Sequence, residues 1–343
     1  MEKRDMNVLV YDVAAENGGA ASILEYYYGL HSRDKNNHYY YVLSTYHMKS
    51  RKNITVIRVP FVKKSWLHRI CFDHFGSRKM LKRFHIDRVL SLQNLHLPSF
   101  KGVQTIYVHN ALPFSEYRFG LSEDPKMWVY QNIIGRMMYR SIKKADRVIV
   151  QTKWMKDAIR KKCRCGDKVE VSFPEVSIPE DVRYKGHSGT ARFFYPANAY
   201  GFKNHRVIID ACKDLMGSGD TDFEVVFTLT GSENDHITAL RREAEECGIH
   251  VKWTGILPRE EVFRLYETSV LLFPSYIETV GLPIYEAMQV GCPIIVTNCR
   301  YAKDLTEGYA RRECFDHQDA AQLADIMRGH IRKKTDAAVS EMI

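Results

Sequence analysis

Short apolar runs alternate along this chain with longer segments in which apolar residues recur at helical spacing. Strands are predicted at residues 8–11, 39–43, 54–59, 88–92, 103–108 and 147–151, with a helix from about 20 to 31 after the first. After Phe173 the composition shifts to Pro174, Pro179, Gly186 and Gly189 with mixed charge, the mark of a connecting segment. The alternation then resumes: strands at 192–195, 223–229 and 250–253, helices at 205–216, 235–247 and 259–268. Strands alternating with helices imply parallel sheets covered on both faces. The expected class is α/β, with two doubly wound Rossmann-like domains in series. Their bounds are 1–175 and 191–343, joined by a linker or hinge at 176–190, and the last helix is a candidate to pack back on the first domain.

Ligands of such sheets gather at the carboxyl ends of strands, so the loops there carry the candidate chemistry. The richest follows the buried run Ser269-Val270-Leu271-Leu272-Phe273-Pro274. It reads Glu278-Thr279-Val280-Gly281-Leu282-Pro283-Ile284-Tyr285-Glu286 and continues into a helix that ends at Gly291. Pro283 suits the first helical position, and Gly281 lets the backbone approach a ligand closely. The amides of Thr279, Val280, Gly281 and Leu282 then lie at a helix start, where unpaired N–H groups and the helix dipole favour an anion by roughly 0.3 to 2 kcal/mol. A phosphate suits that position. Carboxylates beside it would repel it, so Glu278 and Glu286 must work on either side, accepting hydrogen bonds from hydroxyl groups. Such bonds contribute about 1.5 to 3 kcal/mol each. A diphosphate flanked by hydroxyls describes a nucleotide-sugar.

The segment 273–296, closed by Gly291-Cys292-Pro293-Ile294-Ile295-Val296, resembles the signature of retaining glycosyltransferases of family 4. That resemblance implies the GT-B fold, in which two Rossmann-like domains face each other across a cleft. The first would bind the acceptor and the second the nucleotide-sugar donor. It implies Glu278 on the donor sugar's hydroxyls and Glu286 on the ribose. His109, which ends the predicted strand 103–108, would touch the sugar from the other domain. Lys203 would neutralise the departing phosphate, so the expected catalytic set is Glu278, His109 and Lys203. The pair Gly18 and Gly19 after the first strand, and Gly231 after the strand at 223–229, would pass close to the diphosphate, and residues 253–257 would lie along the base. One position departs from the pattern: where the family has an arginine five residues before the lysine, this chain has Asn198, which is retained as a donor-side candidate. The resemblance is to bacterial enzymes that build capsule, O-antigen, exopolysaccharide or lipopolysaccharide on saccharide or lipid-linked acceptors. It carries no cofactor and no metal.

Other compositions narrow the choice. The Asp220-Thr221-Asp222 spacing is that of a metal-binding pair, but it precedes its strand and so falls at the wrong end of the sheet. Eight cysteines lack paired spacing and are expected as free thiols. No apolar run approaches a membrane span, and residues 1–6 lead directly into the first strand; a signal peptide is not expected, and the protein is placed in the cytoplasm. The net charge of +9 is uneven: residues 49–88 hold twelve Lys or Arg against Asp73 and Asp87, interleaved with Trp66, Leu67, Ile70, Phe72, Phe75, Leu81 and Phe84. That mixture suits an anionic membrane surface, and equally a helix packed on its own core. No zinc-finger, RNA-recognition or helix-turn-helix pattern accompanies the charge, which argues against nucleic acid. Competing functions are an inverting GT-B glycosyltransferase, a nucleotide-sugar epimerase and a non-catalytic nucleotide-sugar-binding protein. Tyr117, Arg118 and Phe119 are candidates to shape the acceptor pocket.

Overall fold

The computed structural model describes residues 5–16, 18–186 and 189–340, with the side chains of 18 and 333–340 outside the description. The chain divides into two compact units, Met1–Pro174 and Glu175–Ile343.

Unit 1 runs β1 (Asn7–Asp12), α1 (Gly18–Ser32), β2 (His38–Leu43), β3 (Ile54–Arg58), α2 (Trp66–Cys71), α3 (Ser77–Arg83), β4 (Arg88–Ser91), β5 (Val103–Val108), α4 (Pro125–Val129), α5 (Gly135–Lys144), β6 (Arg147–Val150), α6 (Lys153–Cys163) and β7 (Val169–Val171). Its sheet has the order β3-β2-β1-β4-β5-β6-β7, and each adjacent pair is parallel. Side chains alternate between the faces of a strand. Val10 accordingly joins Ile23, Leu24 and Tyr41 in one apolar cluster, while Leu9 and Tyr11 join Val42, Phe72 and Leu81 in another. Both faces of the sheet are therefore covered, as a parallel sheet requires.

Unit 2 runs β8 (Ala191–Tyr195), α7 (His205–Gly217), β9 (Phe223–Phe227), α8 (Asp235–Glu246), β10 (Val251–Trp253), α9 (Arg259–Thr268), β11 (Val270–Phe273), α10 (Leu282–Val290), β12 (Ile294–Thr297), α11 (Arg300–Leu305), β13 (Arg312–Phe315) and α12 (Ala320–Ser340). The parallel order β10-β9-β8-β11-β12-β13 is the doubly wound arrangement, with its switch point between β8 and β11. Every residue of β9, β11 and β12 is buried. That explains why β11 and most of β12 read as apolar runs and not as alternating ones, while β9 carries one charge, Glu224, held by Arg192 and Lys252.

Several elements had no distinct signal in the pattern. β7 is three residues of Val-Glu-Val at a sheet edge, too short for a period to register. Between α2 and α3 the helix widens into a π turn at Phe72–Gly76. Gly76 permits it, because a Cβ there would lie 2.8 Å from the Phe72 ring. Part of the predicted linker is fastened to unit 2: the Tyr184 amide donates to the Val290 carbonyl at 2.9 Å and that of Lys185 to Glu267 at 2.8 Å.

Candidate functional site

The strongest assembly lies at the switch point of unit 2. After β8, residues Gly201–Lys203 form a single 3-10 turn, and Asn204 follows in the left-handed region at φ 59°. The turn is stitched to both neighbouring strands. The Tyr195 hydroxyl donates to the Lys203 carbonyl at 2.7 Å, and the Tyr276 amide donates to the Phe202 carbonyl at 3.1 Å. Lys203 is thereby aimed at the loop after β11, where its Nζ pairs with Glu278 Oε1. Both side chains are only 14% exposed, so the pair is shielded from bulk water on most sides. Lys203 also lies 5.8 Å from the ring centres of Phe202 and Phe273, which limits its motion.

Six residues beyond Phe202's partner Tyr276, the chain enters α10 at Leu282. Gly281 caps that helix with φ 80°, a conformation that side chains strain, and a Cβ there would approach Ile284 to 3.2 Å. Gly281, as the N-cap, brings no side chain of its own to the first helical amides. Pro283 is the second helical residue and not the first, since Leu282 already belongs to the helix. The arrangement places a cation, a carboxylate and a glycine-capped helix start within one loop pair, which suits a ligand that joins phosphate to hydroxyls. Thr279 and Val280 form the turn between Glu278 and Gly281, with Val280 buried.

Glu286, expected on the ribose, is already engaged by protein side chains. It is buried, its Oε1 lies 2.9 Å from Arg259 Nη2, and its Oε2 accepts from the Tyr266 hydroxyl at 3.2 Å. Burial raises its carboxyl above the usual range, and Arg259 opposes that rise. Both oxygens keep one lone-pair direction each, so a ribose would share Glu286 with these two side chains. Neither partner was singled out from the sequence; Arg259, the first residue after Pro258 at a helix start, was the available signal.

Gly231 follows β9 at φ 84°, in a run of amides that resembles an anion nest. An internal carboxylate occupies it: Glu233 accepts from the amides of Thr230 at 2.5 Å, Gly231 at 3.2 Å and Ser232 at 3.2 Å. Burial would raise the Glu233 carboxyl, but these amide bonds outweigh it and hold it below the usual range. Asn198 lines a cavity of about 280 Å³ together with Pro196, Ala197, Thr228, Ile256 and Leu257. Ile256 is 97% exposed, an apolar side chain with no covering partner beside that cavity. Trp253 instead packs on Phe227, ring centres 5.2 Å apart.

In unit 1, His109 stands at the end of β5, as its position predicts. Its Nε2 lies 3.0 Å from the Leu92 carbonyl, and its amide donates to Asn94 Oδ1 at 2.7 Å. Burial pushes the imidazole down to about 4, so it is neutral at pH 7 with Nε2–H directed at Leu92 and Nδ1 as its acceptor nitrogen. Gly18 begins α1, and a Cβ on Gly19 would meet open space. The residue missed here is Asp12, which ends β1 nearly inaccessible. One oxygen accepts from the Ala15 amide at 3.1 Å, and the other, Oδ2, has no hydrogen-bond partner among the described residues. Burial pushes its carboxyl up to about 6. Of the acceptor-pocket candidates, Arg118 donates to the Pro113 carbonyl at 3.3 Å, Phe119 is buried with its amide held by Gln131, and Tyr117 bonds Glu123. They brace the loop after β5. Asp220 is bound by Arg328 of α12 at 2.8 Å, and all eight cysteines are free thiols. Among the described residues, no helix is long and apolar enough to cross a membrane and no cluster of metal-ligating side chains occurs.

Comparison with known proteins follows the same outline. Residues 179–338, a span just short of half the chain, match the profile of the family Glycosyl transferases group 1. Among solved structures, the chain is similar to WaaG, a glycosyltransferase involved in lipopolysaccharide biosynthesis, with 15% identity and a TM-score of 0.69 over 95% of this chain and 90% of that one. It is also similar to HepE of Anabaena, solved with UDP-glucose, with 14% identity and a TM-score of 0.67 over 96% and 91%. Sucrose-phosphate synthase of Thermosynechococcus elongatus gives 14% and 0.69 over 97% and 91%. No curated protein sequence matches. The fold is GT-B, that of the group 1 glycosyltransferases.

Proposed function

We propose that this protein is a retaining, metal-independent glycosyltransferase of family 4 that moves a sugar from a nucleoside-diphosphate donor to a saccharide or lipid-linked acceptor in surface-polysaccharide synthesis. The observation that carries this reading is the Lys203–Glu278 pair at the β8/β11 switch point beside the glycine-capped start of α10. A diphosphate entering there exchanges with Glu278 for Lys203, since two phosphate charges attract the ammonium more strongly than one carboxylate. Glu278, released from the lysine, then accepts from the sugar hydroxyls. In the transfer step the bond from the anomeric carbon to the phosphate oxygen breaks and a bond to the acceptor oxygen forms. The acceptor proton passes to the departing phosphate oxygen. Lys203 and the helix-start amides stabilise the charge that grows there, in a place largely closed to water.

Retention of configuration is inferred from the resemblance of segment 273–296 and not from the site geometry. HepE was solved with UDP-glucose, which makes uridine the first base to test here. Asn198, Thr279, Val280, Gly281, Leu282, Gly231 and Glu286 complete the donor side. In the first unit, Gly18 and Gly19 are assigned to the diphosphate and the acceptor, and His109 to the donor sugar. The basic 49–88 region faces an anionic membrane on the cytoplasmic side.

The test is transfer from a panel of UDP-, GDP- and ADP-sugars with the anomeric configuration of the product read by NMR. An α-linked product from an α-donor, obtained in the presence of a chelator, supports the reading. Inversion, free sugar released without an acceptor, or nucleotide binding without turnover would each replace it.

A further inference from the structure

The helix formed by α2, the π turn and α3 has two unlike faces. Its inner face is tied to the sheet: Arg69 Nε bonds Asp73 at 3.0 Å, Arg69 Nη2 reaches Gln93 at 2.6 Å, the Tyr11 hydroxyl bonds Asp73, and Phe72 and Leu81 are buried. Its outer face carries Trp66 at 60% exposure, Leu67 at 72%, Ile70 at 42% and Phe75 at 65%. A helix that merely packed its apolar stripe on the core would show the reverse. The same stretch carries exposed Lys64, Arg78 and Lys79, with Arg78 over the Phe75 ring at 5.4 Å, and the acid within residues 64–83, Asp73, is already bound.

We propose that this helix is a membrane-docking element, whose Trp66, Leu67, Ile70 and Phe75 enter the headgroup boundary of an anionic bilayer while Lys64, Arg78 and Lys79 meet lipid phosphates. This rests on the reading of residues 49–88 as membrane-facing and narrows it to one face of one helix. Charge decides the occupant. Lysine is depleted at the centres of protein interfaces, whereas bases interleaved with aromatic and aliphatic side chains match the boundary between lipid phosphate and hydrocarbon. Nucleic acid would leave the aliphatic side chains in water.

The helix also lies beside the candidate acceptor loop. Just ahead of α2, Lys63 Nζ bonds the Ala14 carbonyl at 3.2 Å and Glu16 at 2.8 Å, in the loop between β1 and α1. Docking therefore brings the carboxyl edge of the first sheet to the bilayer surface, and the acceptor class that suits it is a saccharide on a lipid carrier held in that bilayer.

The test is co-sedimentation of the full chain with vesicles of phosphatidylcholine alone and with added phosphatidylglycerol. Three variants are compared: Trp66→Ser/Leu67→Ser/Phe75→Ser, Lys64→Glu/Arg78→Glu/Lys79→Glu, and Lys49→Glu/Lys52→Glu ahead of β3. The first two should lose about tenfold or more in partitioning to anionic vesicles, and the third should match wild type. The substituted side chains are exposed, so melting temperature and the thermal shift with UDP-glucose should be unchanged in all three. Absence of any vesicle binding by wild type would remove the membrane reading of 49–88 altogether. Binding that survives the helix variants and fails in Lys49→Glu/Lys52→Glu would leave that reading standing and overturn the helix assignment. An oligomer in sedimentation velocity that the apolar variant dissociates would make the face an interface between copies and overturn it as well.

Discussion

The two sheets share the order of their first six strands, with β7 added in unit 1, and differ sharply in what they place at the switch point. In unit 2 the loops after β8 and β11 bring Lys203 and Glu278 together beside a helix start, an edge made of opposite charges. In unit 1 the corresponding strands β1 and β4 end at Asp12, nearly inaccessible with a carboxyl raised to about 6, and near neutral His109, whose Nε2 lies against the Leu92 carbonyl. One edge suits a charged diphosphate and the other suits hydroxyls. Fold alone makes no such distinction; the loops do.

The largest effect should come from breaking the charged edge. Glu278→Gln and Lys203→Met are each expected to lower kcat/KM by about 10² to 10³, the scale of losing one preorganised group at a developing charge. Steady-state kinetics with the identified donor checks this. A loss below tenfold in both would separate the pair from catalysis.

The unit 1 edge predicts two opposite pH effects of up to about 3 kcal/mol each. The imidazole of His109 is lowered from 6.5 to about 4, so below 6.5 the unfolded chain takes the proton first. Its stabilising share is complete above 6.5 and is lost as pH falls through 4. The carboxyl of Asp12 is raised from 3.8 to about 6, so its share is complete below 3.8 and is lost as pH rises through 6. Asp12→Asn keeps an acceptor for the Ala15 amide and should therefore stabilise the protein at pH 7 relative to pH 4. His109→Gln should flatten the loss of stability between pH 6.5 and 4. Urea unfolding across that range measures both, and unchanged slopes would mean these groups face water.

A smaller effect is expected at Gly281. Its φ of 80° and the 3.2 Å approach to Ile284 should make Gly281→Ala cost about 1 to 2 kcal/mol of stability and weaken nucleotide binding as the turn shifts. The smallest concerns Glu233, whose carboxylate fills the amide nest at Thr230–Ser232. If the donor diphosphate uses Gly231, Glu233→Ala should tighten UDP binding several-fold at a stability change of about 1 kcal/mol. Weaker or equal binding by calorimetry would leave Gly231 a structural turn.

Much of this was readable in advance, for identifiable reasons. Parallel strands buried on both faces leave apolar runs, so β11 stood out and β9 was legible despite Glu224, and residues just after a strand are held at one edge whatever their partners. That is why Lys203, Glu278 and His109 could be placed without coordinates. What could not be read depends on contacts far apart in sequence. Arg259 and Tyr266 reach Glu286 from α9, and nothing local in the Glu278–Glu286 segment announces them. Glu233 folding back onto its own turn competes with a ligand for the same amides. The apolar side chains from α2 through α3 showed the ambiguity most plainly: Phe72 and Leu81 turned inward, Trp66 and Leu67 outward, and a π turn at Phe72–Gly76 shifted the register that a helical period assumes.

The most direct measurement of the central claim is a crystal structure of the protein with UDP-glucose. The account predicts a phosphate oxygen within hydrogen-bond distance of Lys203 Nζ and of the amides at the start of α10, with Glu278 released to the sugar hydroxyls. A nucleotide bound elsewhere, with the Lys203–Glu278 pair intact and the Gly281 turn unoccupied, would contradict it.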